Sequence, residues 1–211
     1  MKRVFTTRQC VHVWAQQSQD EGRGGNVYFS GPTIYSYGEH FPMGHFVEHG
    51  NKRAVIVTSR TYDNTASGHV SAVKRAIRHI PERFTLPLTS ELVWSTKSGA
   101  IDHDAIRRHY EEEVALSLGK AGKARKYASQ HWRAARGTIA EANRWAKFWG
   151  RRWRIPVPDN MENAAAEAAI RERKYREKQE RKAREQRKRQ RLLDAETYQQ
   201  WRDAHYLAYG G

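Results

Sequence analysis

The sequence predicts an α+β fold: a small antiparallel sheet with packed helices, followed by a long helical basic C-terminal region. Three observations lead there. Residues 27–30, 33–37 and 53–59 are short runs rich in β-branched and aromatic side chains, punctuated by turn residues. Apolar stripes at helical spacing follow them. The charge is also split. Residues 1–118 carry 14 Lys or Arg against 12 Asp or Glu, a net of +2, whereas 119–211 carry 24 against 11, a net of +13. Such a split defines a near-neutral α+β module over 1–118, with its core in 5–80, and a basic helical region over 119–211.

Residues 6–17 form a short helix. Thr6 or Thr7 caps it, and Cys10, Val11, Trp14 and Gln17 share a side. The polar stretch 18–26, with Gly22, Gly24 and Gly25, reads as a loop. Strands 27–30 and 33–37 follow, joined by Gly31-Pro32, and 41–48 extends the second or makes another. Gly50-Asn51 suits a hairpin turn into 53–59. That last strand is almost continuously apolar, which calls for burial on both faces.

A helix then starts near 65–67, with Asn64 or Thr65 as cap. It carries Val70, Val73, Ile77 and Ile80 and stops at Pro81. Pro87 demotes 84–88 to an edge strand or coil. Asp102 caps a helix bearing Ile106, Tyr110, Val114 and Leu118, which Gly119 and Gly122 should interrupt. A further helix over 121–149 has the stripe Ala128, Trp132, Ala135, Ile139, Ala142, Trp145 and Trp149. After the rigid Ile155-Pro156-Val157-Pro158 segment, 164–190 is helical by propensity but carries no large apolar stripe. Apolar residues return with Leu192, Leu193, Tyr198, Trp201, Tyr206, Leu207 and Tyr209.

Composition excludes several classes. No apolar run approaches the ~18 residues of a membrane helix, so no membrane partner is expected. Cys10 is the only cysteine. An internal disulfide and a multi-cysteine zinc site are therefore ruled out, and a reducing, cytoplasmic setting follows.

The stretch from Phe29 to Met43 contains Tyr35-Ser36-Tyr37-Gly38-Glu39-His40-Phe41-Pro42, and Tyr62-Asp63-Asn64-Thr65-Ala66-Ser67-Gly68-His69 lies downstream. Together they resemble a family of bacteriophage-encoded proteins of unknown function, over roughly residues 5–80. The resemblance implies a phage or prophage origin, hence the cytoplasm of a phage-infected or prophage-bearing cell. It carries over no activity and no catalytic residue.

Catalytic and metal chemistry find little support in the residues. His40, His45 and His49 are spaced His-x4-His-x3-His. On a strand His40 and His45 face opposite sides, and His45 and His49 lie about 13 Å apart, so no metal site is assigned. His69 is either a general base paired with a Tyr or His of the sheet, or a buried polar residue whose ring nitrogen bonds a backbone carbonyl across it; the second reading is preferred. Gly22-Arg23-Gly24-Gly25-Asn26 lacks the Gly-Lys-Ser/Thr ending of a phosphate loop. The few carboxylates of the first module make no Mg²⁺ constellation. No catalytic residue, metal or cofactor is therefore assigned, and the protein is read as non-enzymatic.

The basic half points to a polyanion. Residues 171–191 hold 12 Lys or Arg and only four Glu. Pairs such as Glu172→Arg176, Glu177→Arg181, Glu180→Arg184 and Glu185→Arg189 have the favourable i, i+4 order but cannot balance the excess. The residues expected to contact DNA or RNA are Arg151, Arg152 and Trp153, together with Arg181, Lys182, Arg184, Arg187 and Lys188. Phe148 joins the first group, while Trp132, Trp145 and Trp149 belong to the core by periodicity. Phosphate contacts of this kind read little sequence. The alternatives are a phage structural or assembly protein that self-associates, and an inhibitor of a host nucleoprotein, which would make a host protein its partner.

Overall fold

The computed structural model describes residues 3–60, 63–89, 92–93, 100–124 and 126–209, with side chains of the last helix followed to 205. The side chains of Tyr206, Leu207 and Tyr209 lie outside the described residues. The architecture is α+β. Six strands form one sheet in sequential order: β1 (Glu21–Gly24), β2 (Val27–Ser30), β3 (Thr33–Ser36), β4 (Gly38–His49), β5 (Lys52–Thr58) and β6 (Arg83–Leu86). Neighbours are antiparallel except β5 and β6, which are parallel. Among the described residues five α-helices and one 3₁₀ turn (Ile77–His79) accompany the sheet: α1 (Thr7–Gln16), α2 (Asn64–Ala76), α3 (His103–Lys123), α4 (Ala128–Phe148) and α5 (Met161–Tyr209).

The chain divides into two compact units. One comprises Met1–Val114 with Gly137–Pro156, the other Ala115–Arg136 with Val157–Gly211. The boundaries fall inside α3 and α4, so packing divides the chain differently from charge. The basic segment 137–156 belongs to the first unit because its apolar residues are needed there.

In the first unit, β5 explains the layering. Ala54, Val55, Ile56 and Val57 are all buried. Val55 and Val57 join a core with Val11, Trp14, Val70 and Val73 of α1 and α2. By strand alternation Ile56 points to the other face. There its β6 partner Phe84 meets Trp145 of α4 edge-on, with ring centroids 4.9 Å apart. The edge strand β6 is covered in the same way: Glu141 of α4 accepts the Thr85 N–H, and Arg144 donates to the Arg83 carbonyl at 3.4 Å. Pro87 follows directly after β6, which accounts for the strand being short and lateral.

Several boundaries differ from the sequence reading. The stretch taken as a loop contains β1, joined to β2 by a Gly25-Asn26 turn. Gly22 and Gly24 are there for close approach. A Cβ on Gly22 would lie 2.6 Å from the Phe29 ring, and one on Gly24 2.7 Å from the Thr6 carbonyl. The cap of α2 is Asp63 and neither Asn64 nor Thr65: its side chain accepts the Ala66 N–H at 2.6 Å, so the helix begins at Asn64. Gly119 and Gly122 do not interrupt α3, which runs on to Lys123. Each glycine costs about 1 kcal/mol in a helix, and burial of Ala121 between them offsets part of this. The break comes afterwards, before α4, where Tyr127 takes a positive φ of 63°. The expected caps Thr6 and Asp102 are both in place.

The two sequence signatures meet in space. The Ser36 hydroxyl, fully buried in β3, is hydrogen-bonded to Nδ1 of His69 in α2 at 2.8 Å. Tyr37, at φ 62°, turns the chain tightly from β3 into β4. His69 thus bonds a serine hydroxyl of the sheet in place of the expected backbone carbonyl, and the Tyr37 ring lies 6.0 Å from its own, centroid to centroid. Its pKa is lowered by burial, against an opposing pull from Asp63. The other histidines have separate surroundings. Nδ1 of His45 is bonded to the Thr33 hydroxyl at 2.7 Å, and the His49 ring lies 5.0 Å from that of Trp149. Among the described residues no three His, Cys, Asp or Glu are grouped to hold a metal. Cys10 is buried, and burial pushes its thiol up to about 11, so it is unreactive at neutral pH.

Two predictions follow from this packing. Gly44 of β4 sits under the fully buried Trp14, and an added Cβ would lie 2.6 Å from its ring. Gly44→Ala should therefore destabilise the protein by about 1–3 kcal/mol in urea unfolding, and an unchanged midpoint would contradict the packing. The second concerns pH. Burial holds His45 down to about 4, and burial together with the Arg151 charge holds His103 down to about 4, from an ordinary value of 6.5. Between these values the unfolded chain binds more protons, so the stabilisation is complete above pH 6.5 and is lost as pH falls toward 4. A loss on the order of 2 kcal/mol from His45 alone is expected across that window. Urea midpoints that stay level between pH 7 and pH 4.5 would refute it.

Candidate nucleic-acid interface

The expected contact residues fall into two groups in different units. Arg151, Arg152 and Trp153 belong to the first. Helix α4 ends at Gly150, whose φ is 63°, and the Arg151 N–H closes the last turn on the Ala146 carbonyl at 2.7 Å. Arg151 and Arg152 are exposed there. Trp153 is half-buried, its indole N–H is out of solvent, and the Arg107 guanidinium lies 5.9 Å from its ring centroid. Phe148, expected to be a contact, is instead core. It is 4 % exposed and packs on Phe84 and Trp149. Its i+3 relation to Trp145 puts it on the buried face, a periodicity that favours packing over contact. Trp145 is fully buried as its spacing predicts, whereas Trp149 and Trp132 are half-buried.

Arg181, Lys182, Arg184, Arg187 and Lys188 belong to the second unit, on α5. This helix of 49 residues is about 73 Å long at 1.5 Å per residue. It is continuous because 164–190 has strong helix formers and no Gly or Pro. Only its first turns are anchored. Met161 and Ala168 are buried, and Glu172 accepts the Ser129 N–H at 2.9 Å and the Ser129 hydroxyl at 2.5 Å. Burial alone would raise the Glu172 pKa, but these bonds outweigh it and hold the carboxyl below its ordinary value. Glu172 thereby caps α4 from another helix, meeting N–H groups that the unusual Tyr127 conformation leaves over.

Beyond Tyr175, every described residue of α5 to His205 is exposed. The i, i+4 ion pairs read from the sequence are not the ones formed. Glu172 is taken by Ser129, and Glu177 pairs backward with Arg173 at 2.9 Å. Exposed pairs are worth too little to hold long side chains in one geometry. Among the described residues, Arg181, Lys182, Arg184, Arg187 and Lys188 have no carboxylate within 4.0 Å. The arm therefore presents cations to solvent without internal neutralisation.

A further cationic feature of this unit escaped the sequence reading. A groove of about 500 Å³ is lined by Lys126, Tyr127, Arg133, Tyr175 and Arg176 beside the capping Glu172. The Lys126 ammonium lies 5.3 Å from the Tyr175 ring centroid. The sequence signal was Tyr175, the one aromatic in a long charged run, which folding brings to a residue about fifty positions earlier. The second unit as a whole holds 19 Lys or Arg against 10 Asp or Glu.

Among the described residues, no helix is long and apolar enough to cross a membrane. No protein-family model, curated protein or solved structure matches the chain.

The cap generates a prediction. Glu172→Ala removes the acceptor of the Ser129 N–H and hydroxyl. It should cost about 1–2 kcal/mol and speed Ser129 amide exchange roughly tenfold. Unaltered exchange at Ser129 would show that the contact does not hold α4.

Proposed function

We propose that the protein is a phage-type, non-enzymatic nucleic-acid-binding protein of the cytoplasm, acting through phosphate contacts of the α5 arm. The observation that carries this reading is the set of exposed cations at 181–188 with no carboxylate in reach. A charge of +8 over 171–191 is costly to concentrate unless a polyanion meets it. Its residues face several directions around the helix, which suits a backbone of evenly spaced phosphates and gives no fixed set of base contacts. The cationic groove beside Tyr175 extends the same surface toward the anchored end of the arm. Arg151 and Arg152 are separate candidate contacts in the other unit. Phosphate is common to DNA and RNA, so the arm is expected to bind both.

The test is a salt titration of binding to unrelated duplex and single-stranded sequences. Replacing Arg181, Lys182, Arg184, Arg187 and Lys188 together by Ala should weaken binding to all of them alike. Loss of five phosphate contacts should lower the log–log salt slope by about 4 to 5 on a duplex. Unfolding should be nearly unaltered, because exposed unpaired cations stabilise little. Equal affinity in the variant, or no binding by the native chain at low salt, refutes the role of the arm.

A further inference from the structure

The cations of α5 do not surround the helix completely. Between Arg176 and Arg191 only four of sixteen residues are uncharged: Gln179, Ala183, Gln186 and Gln190. Their spacings are 4, 3 and 4, which places all four within an arc of about 60° at ~100° per residue. The same face includes Ala168 and Tyr175 on the anchored side, and Leu193, Thr197, Trp201 and Ala204 on the distal side. With Glu172, which lies on the same face of the anchored part, the spacing from Ala168 to Ala204 averages the ~3.6 of a straight helix, and no Lys or Arg enters it. The part of this face that docks in the second unit is thus continuous with a longer part that is bare. On the bare part Leu193 is 48 % and Trp201 59 % exposed.

We propose that this face is a helix-pairing seam whose occupant is α5 of a second copy of the chain, running antiparallel. Charge selects the partner and the direction. Residues 171–191 carry +8, whereas 192–205 carry Asp194, Glu196 and Asp203 against Arg202, a net of −2. A parallel pair would set +8 beside +8. An antiparallel pair lays each acidic, aromatic end along the cationic stretch of the other. Size agrees with charge. When Gln190 of one copy faces Leu193 of the other, Gln186 meets Thr197, Ala183 meets Trp201, and Gln179 meets Ala204. Trp201 then packs over the smallest residue of the seam, flanked by the aliphatic stems of Lys and Arg. The cations at 181, 182, 184, 187 and 188 flank the uncharged face and do not lie on it.

Light scattering on the full chain, stripped of nucleic acid by nuclease and a high-salt wash and then returned to moderate salt, tests the seam without nucleic acid. The expected mass is twice 24.5 kDa. Ala183→Lys and Leu193→Lys should each return the monomer mass with helicity retained. Gln199→Lys, on the opposite side of α5, should leave the dimer intact. A monomer for the native chain at every concentration, or a dimer that survives Ala183→Lys, overturns the proposal. Orientation has its own test. Gln186→Cys mixed with Thr197→Cys should cross-link, while Thr197→Cys alone should not, its two copies lying about 16 Å apart. The buried Cys10 does not compete. Cross-linking of Thr197→Cys to itself would establish a parallel pair and sink the antiparallel one.

Discussion

Strand β5 is buried on both faces, and a strand of that kind requires a layer of helix on each side. Helices α1 and α2 supply one layer through Trp14, Val70 and Val73. The other comes from much later in the chain, through Trp145 and Phe148 of α4. Much else depends on this demand. It assigns residues 137–156 to the first unit in spite of their positive charge, and it places the boundaries between units inside α3 and α4. It also covers the outer edge of β6, whose Thr85 N–H would otherwise be open to pairing with another chain. Burial of apolar area outweighs the local preference of a basic segment, since each large side chain buried contributes roughly 1.5–3 kcal/mol.

Helix α5 follows the opposite physics. It has almost no large apolar residue to bury before Leu192, so propensity and a few anchored turns hold it. The anchor is part apolar and part polar: Met161 and Ala168 are buried, and a carboxylate sits on Ser129 with Tyr175 and Lys126 close by. Past that point the helix separates its chemistry by face. Cations occupy most of the circumference, and one uncharged face runs the length of the bare segment. A helix evolved only to be solvated has no reason to keep charge off a single face. The segregation allows one surface for phosphate and another for a helix, without either interfering with the other.

The sequence by itself determined the elements whose signals are local. The strands read at 27–30, 33–37 and 53–59, each within a residue of its observed bounds, the caps Thr6 and Asp102, the Gly50-Asn51 hairpin and the uninterrupted arm all follow from side-chain chemistry within a few residues. The burial of Ile56 and Val73 was equally plain from their patterns. Tertiary structure decided the rest, because the deciding partners are distant in sequence. Gly22 and Gly24 read as loop residues, yet they are strand positions that Phe29 and Thr6 press against. Phe148 read as a contact and is core, because Phe84, more than sixty residues earlier, lies beneath it. Glu172 read as an ion-pair partner within its own helix, yet it caps another. For the candidate interface, composition shows the number of cations, but their freedom from carboxylates depends on side-chain positions that only the folded chain defines.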